Sequence, residues 1–190
     1  VADDIASAAF APKGREVREL LDEAEERAFK IVSEKSAELP EAQRKEIARV
    51  IGLGAVKYAD LLPNRQSDYI FSWDKMLALQ GNTAPYLQYA FTRTSSIIRK
   101  SGAQRLADEI ILSAPDELAL AKHLLNFGLA LEAVTDECRP NLLCNYLYEL
   151  AGHFARFFES CPVLKSEGAE RASRLRLCDL TGRVLQQGLA

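Results

Sequence analysis

Residues 81–100 read Gly81-Asn82-Thr83-Ala84-Pro85-Tyr86-Leu87-Gln88-Tyr89-Ala90-Phe91-Thr92-Arg93-Thr94-Ser95-Ser96-Ile97-Ile98-Arg99-Lys100. The first five residues are a turn that starts a helix, with Asn82 or Thr83 as cap and Pro85 in the first turn, where its missing N–H costs nothing. Leu87, Phe91 (or Ala90), Thr94 and Ile98 then recur at helical spacing and form the expected core stripe. A second stripe, Tyr86, Tyr89, Arg93 and Lys100, lies at i, i+3, i+7 and i+14. Aromatic rings on this stripe can stack on unpaired bases while the cations hold phosphates, as in readers of single-stranded RNA. Periodicity alone favours a plainer reading, in which the two tyrosines pack on a neighbouring helix, because such stripes are common on ordinary helices.

Outward from this stretch the same period dominates. Residues 15–38 place Val17, Leu20, Leu21, Ala24, Ala28, Ile31 and Val32 on one face, with Glu23–Arg27 and Glu26–Lys30 as i,i+4 pairs. Pro40 ends that helix and a second is expected over 41–60. Residues 67–75, with Tyr69, Ile70, Phe71 and Trp73, are the one plausible strand, and a short one. Downstream, helices are expected over 84–100, 104–112, 115–135, 140–160 and 169–188, with Pro115 and Pro140 at helix starts and a loop at Pro162 and Gly168. The fold class is therefore mainly α: a helical bundle over 81–190, preceded by a small, mostly helical segment over 1–80 with at most one strand. In the bundle, Leu87, Phe91, Leu143, Leu147, Phe154 and Phe158 are expected to be buried.

Composition bounds the function. Hydrophobic residues make up 48% and charged ones 27% of 190 residues, an ordinary globular balance that excludes disordered and collagen-like chains. The apolar runs are interrupted every few residues, short of the roughly 20 needed to cross a bilayer, so no membrane partner is expected. The N-terminus has no basic region ahead of its apolar residues and does not read as a secretory signal. Cys138, Cys144, Cys161 and Cys178 lack C-x2-C spacing, which argues for reduced, mostly buried thiols, a cytoplasmic address and no structural metal. The net charge of −3 announces no basic field, yet residues 81–107 carry Arg93, Arg99, Lys100 and Arg105 without one acid. Gly52-x-Gly54 is a weak echo of a phosphate loop, with Lys57 at the third position. His123 and His153 lie in amphipathic helices without ligand spacing, and the acidic run over 16–26 reads as a solvated face. No nucleophile–base pair can be argued from spacing, so no catalytic residue is assigned.

The runs Gly54–Leu61, Asn64–Arg65, Asp68–Phe71, Trp73–Leu77 and above all Gly81–Ala90 resemble arginyl-tRNA synthetase. Arg93, Ser96–Lys100, Asn145–Ala151, Phe154, Phe157, Cys161–Val163 and Arg174–Cys178 continue the likeness, which covers nearly the whole chain from Val17 onward. It implies an all-α anticodon-binding domain of the DALR type over 81–190, and over 1–80 the stem-contact region that ends the catalytic half. Carried over by position, Tyr86, Tyr89 and Arg93 are the leading contacts to the anticodon loop of arginine tRNA, joined by Asn82, Lys100 and, from a later helix, Tyr146. The resemblance implies an enzyme that joins arginine to its tRNA through an aminoacyl-adenylate, using ATP with magnesium, as a monomer. The family's nucleotide-binding sheet and HIGH-like signature are absent from these residues, so a fragment or truncated paralogue, inactive in adenylation and without a cofactor of its own, is expected. The rivals are a stand-alone helical binding module that kept the fold without RNA, and the anticodon domain of another synthetase, such as the cysteine or glycine enzymes.

Overall fold

The computed structural model describes residues 17–67, 71–103 and 109–190. By contacts the chain divides between Tyr86 and Leu87 into two compact units.

The first unit is built on a helical hairpin. Helices α1 (Val17–Lys35) and α2 (Glu41–Leu61) are joined by a short turn that ends at Pro40. Their facing residues are small: Ala24 and Ala28 on α1, Ala48, Gly52 and Ala55 on α2, all buried. The backbones approach so closely that a Cβ on Gly52 would lie 2.7 Å from the Ala24 carbonyl oxygen. Val32 and Leu77 join Ala28, Ala48 and Ala55 in the core of this unit, with Phe29, Ile47, Ile51 and Trp73 packed around them. The expected strand is corrected here. Residues 68–70 fall outside the described ones, Ser72 is extended, and Trp73–Met76 forms a short helix, α3. Ser72 caps it, its hydroxyl facing the Lys75 amide at 3.5 Å. Bulky aromatic residues suggested a strand, but a serine cap followed by an acid in the first turn, Ser72 and Asp74, is a helix signal as well.

The second unit holds most of α4 (Ala84–Ser101), then α5 (Pro115–Leu125), α6 (Phe127–Glu137), α7 (Asn141–Ser160) and α8 (Gly168–Leu189). Helix α7 forms its centre, burying Cys144, Tyr146, Leu147, Leu150, Ala151, Phe154 and Phe157 on one face. Full burial of each large apolar side chain contributes about 1.5–3 kcal/mol. Helix α8 packs its own stripe, Leu175, Leu177, Cys178 and Leu185, into the same core. Of the residues expected to be buried, Leu87, Leu147 and Phe154 are so, whereas Phe91, Leu143 and Phe158 are half-buried. The stripe of α4 that is covered is Leu87, Ala90, Thr94 and Ile97, which differs from the expected one in taking Ala90 of the two alternatives and Ile97 in place of Ile98.

Two helical spans differ from expectation. Residues 104–108 lie outside the described ones, and 109–114 are not helical. The latter are tied to α8 instead: the Ile111 N–H donates to Ser173 Oγ at 2.8 Å, and that hydroxyl donates back to the Ile111 carbonyl at 2.9 Å. The span 115–135 is two helices, broken where the Asn126 N–H turns back to the His123 carbonyl at 3.0 Å. Pro115–Glu137 span 23 residues, and their most apolar 18-residue window has a mean hydropathy of 1.2 with 11% of it buried, so length and composition alone would suffice to cross a bilayer. The fold argues against reading them as one span. Each 11-residue helix is only about 16 Å long at 1.5 Å per residue, against a hydrocarbon core of about 30 Å.

A buried ion pair fixes the start of α5. Glu117 Oε2 accepts the Ser113 and Ala114 amides at 2.7 and 2.9 Å, and Oε1 accepts Arg174 Nε at 2.6 Å. Arg174 also reaches Ser166 and Glu170. Burial pushes the Glu117 carboxyl up, but the Arg174 guanidinium and the two amides outweigh it and hold the group below the usual carboxylate range.

Candidate nucleic-acid interface

The loop ahead of α4 is tied from two sides. Gly81 has a φ of +81°, a left-handed turn that glycine adopts without strain. The Tyr58 hydroxyl donates to Asn82 Oδ1, which makes Asn82 a half-buried part of the loop's own framework. Thr83 is the cap: its hydroxyl donates to the Ala78 carbonyl at 2.7 Å and faces the Tyr86 amide at 3.3 Å. The helix that starts there contains no acid and ends on Arg99 and Lys100, cations that suit the negative end of the helix dipole.

Along α4 the expected contact residues are placed unequally. Tyr86 is half-buried and belongs with the first unit. Three residues on, Tyr89 leaves 51% of its surface in solvent. Arg93 is half-buried, with its guanidinium 4.4 Å from the centre of the Phe158 ring and 5.6 Å from that of Tyr89. Cation–π contacts of this kind hold a guanidinium in place without neutralising it. Lys100 is exposed, two turns further along. Phe158 is the residue that spacing alone misses: it looked like core, and the signal for its second role lies 65 positions away from Arg93.

Tyr146 requires a correction. It was expected to be partly exposed beside Tyr89 and Arg93, but it is buried at 7% exposure. Its hydroxyl donates to the His123 carbonyl at 3.0 Å, and its own carbonyl meets His123 Nε2 at 3.0 Å. The two rings stack at 4.5 Å and 11°. Burial pushes the phenol up to about 12. This reciprocal pair joins α5 to α7 and belongs to the core. His153 lies 4.9 Å from His123; burial, then the nearby charges of His123 and Arg156, hold it below the ordinary histidine value.

The remaining sequence candidates resolve structurally. Gly52 lies in mid-helix against the Ala24 carbonyl, where it cannot cradle a phosphate. Cys144, Cys161 and Cys178 are buried, and Cys138 is exposed at the left-handed end of α6.

The chain has counterparts among known proteins. The pattern of the DALR anticodon binding domain matches residues 87–190, and that of the catalytic domain of class I (R) tRNA synthetases matches residues 12–73. The chain is 54% identical over 171 residues to the arginine–tRNA ligase of Laribacter hongkongensis, covering 90% of this chain and 30% of that one. It is 52% identical over 182 residues to the Synechocystis enzyme, covering 92% and 31%. Among solved structures, the Thermus thermophilus arginyl-tRNA synthetase superposes with a TM-score of 0.85 at 34% identity, over 92% of this chain and 30% of that one. The Plasmodium falciparum synthetase gives 0.82 at 31% identity, over 92% and 32%. The chain thus spans about three-tenths of the relatives it matches. With its helical bundle matched from Leu87 to Ala190, the chain belongs to the DALR anticodon-binding domain family, and its relatives there are arginyl-tRNA synthetases.

Proposed function

We propose that this chain is the tRNA-recognition segment of an arginine–tRNA ligase and that the outer face of α4 reads the anticodon loop of arginine tRNA. The observation that carries this reading is the acid-free stripe of α4, on which Tyr89 is half in solvent and Arg93 is held over two aromatic rings. A ring with one free face can take a base, and a guanidinium that stays charged beside it can take a phosphate or a base edge. Tyr86 and Lys100 extend the stripe, and Asn82 shapes the loop before it. Tyr146 supports the fold beneath and is not proposed as a contact. Residues 1–80 would supply the end of the catalytic half, next to the stem of the tRNA. The whole enzyme would attach arginine to its tRNA through an ATP-derived aminoacyl-adenylate in the cytoplasm, as a monomer, with ATP and magnesium bound by a domain outside these residues.

The test is a titration of the 190-residue chain with anticodon stem-loops of arginine tRNA and with loops of altered anticodon, at two salt concentrations. The proposal expects tighter binding of the matched loop, lost on Tyr89→Ala and weakened on Arg93→Ala. Equal affinity for both loops, unmoved by either substitution, would leave a helical module without RNA. The same chain should show no arginine-dependent pyrophosphate exchange.

A further inference from the structure

Helices α4 and α8 cross closely where Gly182 meets Thr94: a Cβ at Gly182 would lie 2.6 Å from the Thr94 hydroxyl oxygen. Beside this crossing opens a cleft of about 340 Å³, lined by Ser95, Arg99, Arg183 and Gln186 with half-buried Phe91 and Ile98. It lies round the helix from the Tyr89–Arg93 stripe, on the flank of α4 that turns toward α8. Its charge is one-sided. Asp179 is its one acid, and one carboxylate oxygen of Asp179 already takes both Arg183 Nε at 2.9 Å and Arg176 Nη1 at 3.1 Å. The cleft's two guanidinium groups, Arg99 and Arg183, therefore share their lining with a single carboxylate, which Arg176 from outside the lining also engages. The Arg183 side chain is 66% exposed even while paired, and Arg99 is exposed. Ser95 adds a hydroxyl and Gln186 an amide at the rim.

We infer that the α4–α8 cleft is a second RNA subsite, which holds the sugar–phosphate backbone of the strand that continues from the bases stacked on Tyr89. The inference rests on the anticodon-loop reading above and adds a division of labour within it. Aromatic and cationic groups on one flank of α4 read bases, and the cleft on the other flank supplies affinity without regard to sequence. Arginines suit the second task, because a planar guanidinium pairs two of its N–H groups with phosphate oxygens. Each phosphate so neutralised releases counterions, which gives the contact a defined signature in salt.

The experiment titrates matched and altered anticodon stem-loops into the wild-type chain and into Arg99→Gln, Arg183→Gln, Arg99→Lys and, as a surface control on α5, Lys122→Gln, over a series of salt concentrations. Both Arg→Gln changes are expected to weaken the two loops by the same factor. Each should also reduce the slope of log affinity against log salt by about 0.7–0.9, the value for one phosphate contact. Arg99→Lys, which keeps the charge, should restore the slope, and Lys122→Gln should leave it unchanged. Slopes identical to wild type in both Arg→Gln variants, with discrimination at Tyr89 intact, would overturn the cleft and leave the anticodon reading standing. A loss confined to the matched loop would also overturn it, since that outcome makes the cleft a base reader. A wild-type chain that binds neither loop would overturn both.

Discussion

Two tyrosines of different helices, Tyr89 on α4 and Tyr146 on α7, carry the same chemistry and were expected to share one task, yet the fold separates them. Tyr89 stands on the outer face of α4 with half its surface in water and a guanidinium over its ring. Tyr146 lies inside, stacked on His123, with its hydroxyl and its carbonyl both engaged by that residue. A tyrosine with a bonded hydroxyl and two covered faces has nothing left to offer a ligand. One that keeps a free face retains its stacking energy for a partner. Spacing along a helix tells which residues share a face; which face is covered depends on elements distant in sequence.

The sharpest way to break this comparison is to delete each ring. Tyr146→Ala should lower unfolding stability by about 3–5 kcal/mol, the usual cost of removing a buried aromatic ring. Tyr89→Ala should stay within about 0.5 kcal/mol of wild type. Urea titrations of both variants measure the difference, and comparable losses would show that Tyr89 is a packing residue after all.

The buried ion pair offers a second, comparable effect, because Glu117 sits in the same interior as Tyr146. Glu117→Ala leaves Arg174 charged and uncompensated, which costs about 3–5 kcal/mol. The wild type carries a pH signature of the pair as well. The folded carboxyl titrates below its unfolded value, so its contribution is complete above the ordinary glutamate value of about 4.3. That contribution is lost as the pH falls through the lower, folded value. Stability curves from pH 7 to pH 2 should therefore fall less steeply in the Ala variant than in the wild type.

A smaller effect separates binding from folding. Tyr89→Ala should weaken the matched stem-loop by about 1–3 kcal/mol, the worth of one base–aromatic stack, with its melting curve unmoved. Calorimetric titration alongside a thermal melt reads both at once, and a shifted melt with unchanged affinity would reverse the roles given to the two tyrosines. Smallest of all, Tyr146→Phe removes only the hydrogen bond to the His123 carbonyl. It should cost about 0.5–1.5 kcal/mol and leave RNA affinity as it was.

Much of the fold was legible because helices write their own period. The long helices α1, α2, α4, α7 and α8 lie close to where apolar spacing, Pro40 and Pro140 put them. What escaped was decided elsewhere. The break at Asn126 has no proline to announce it, and it depends on the last carbonyls of α5 turning back on one amide. The helix at Trp73 was hidden by aromatic residues that favour strands. Which of Phe91 and Ala90 is covered, and Ile97 rather than Ile98, was decided by the packing of the second unit, where Gly182 of α8 meets Thr94. In the candidate interface, the two-faced character of α4 was readable from residues 81–100. The ring that steadies Arg93 and the burial of Tyr146 were not, since both arise from contacts between residues far apart in the chain.

Helix α4 also dictates where this molecule can be cut. The compact second unit and the family match both begin at Leu87, but the helix begins three residues earlier, at Ala84. A domain excised at Leu87 would start in mid-helix. It would lose the Thr83 hydroxyl that faces the Tyr86 amide and Tyr86 with it, and its first four amides would have no partners. Because Thr83 is itself anchored to the Ala78 carbonyl, a self-sufficient RNA-binding fragment has to start at Ala78 or before.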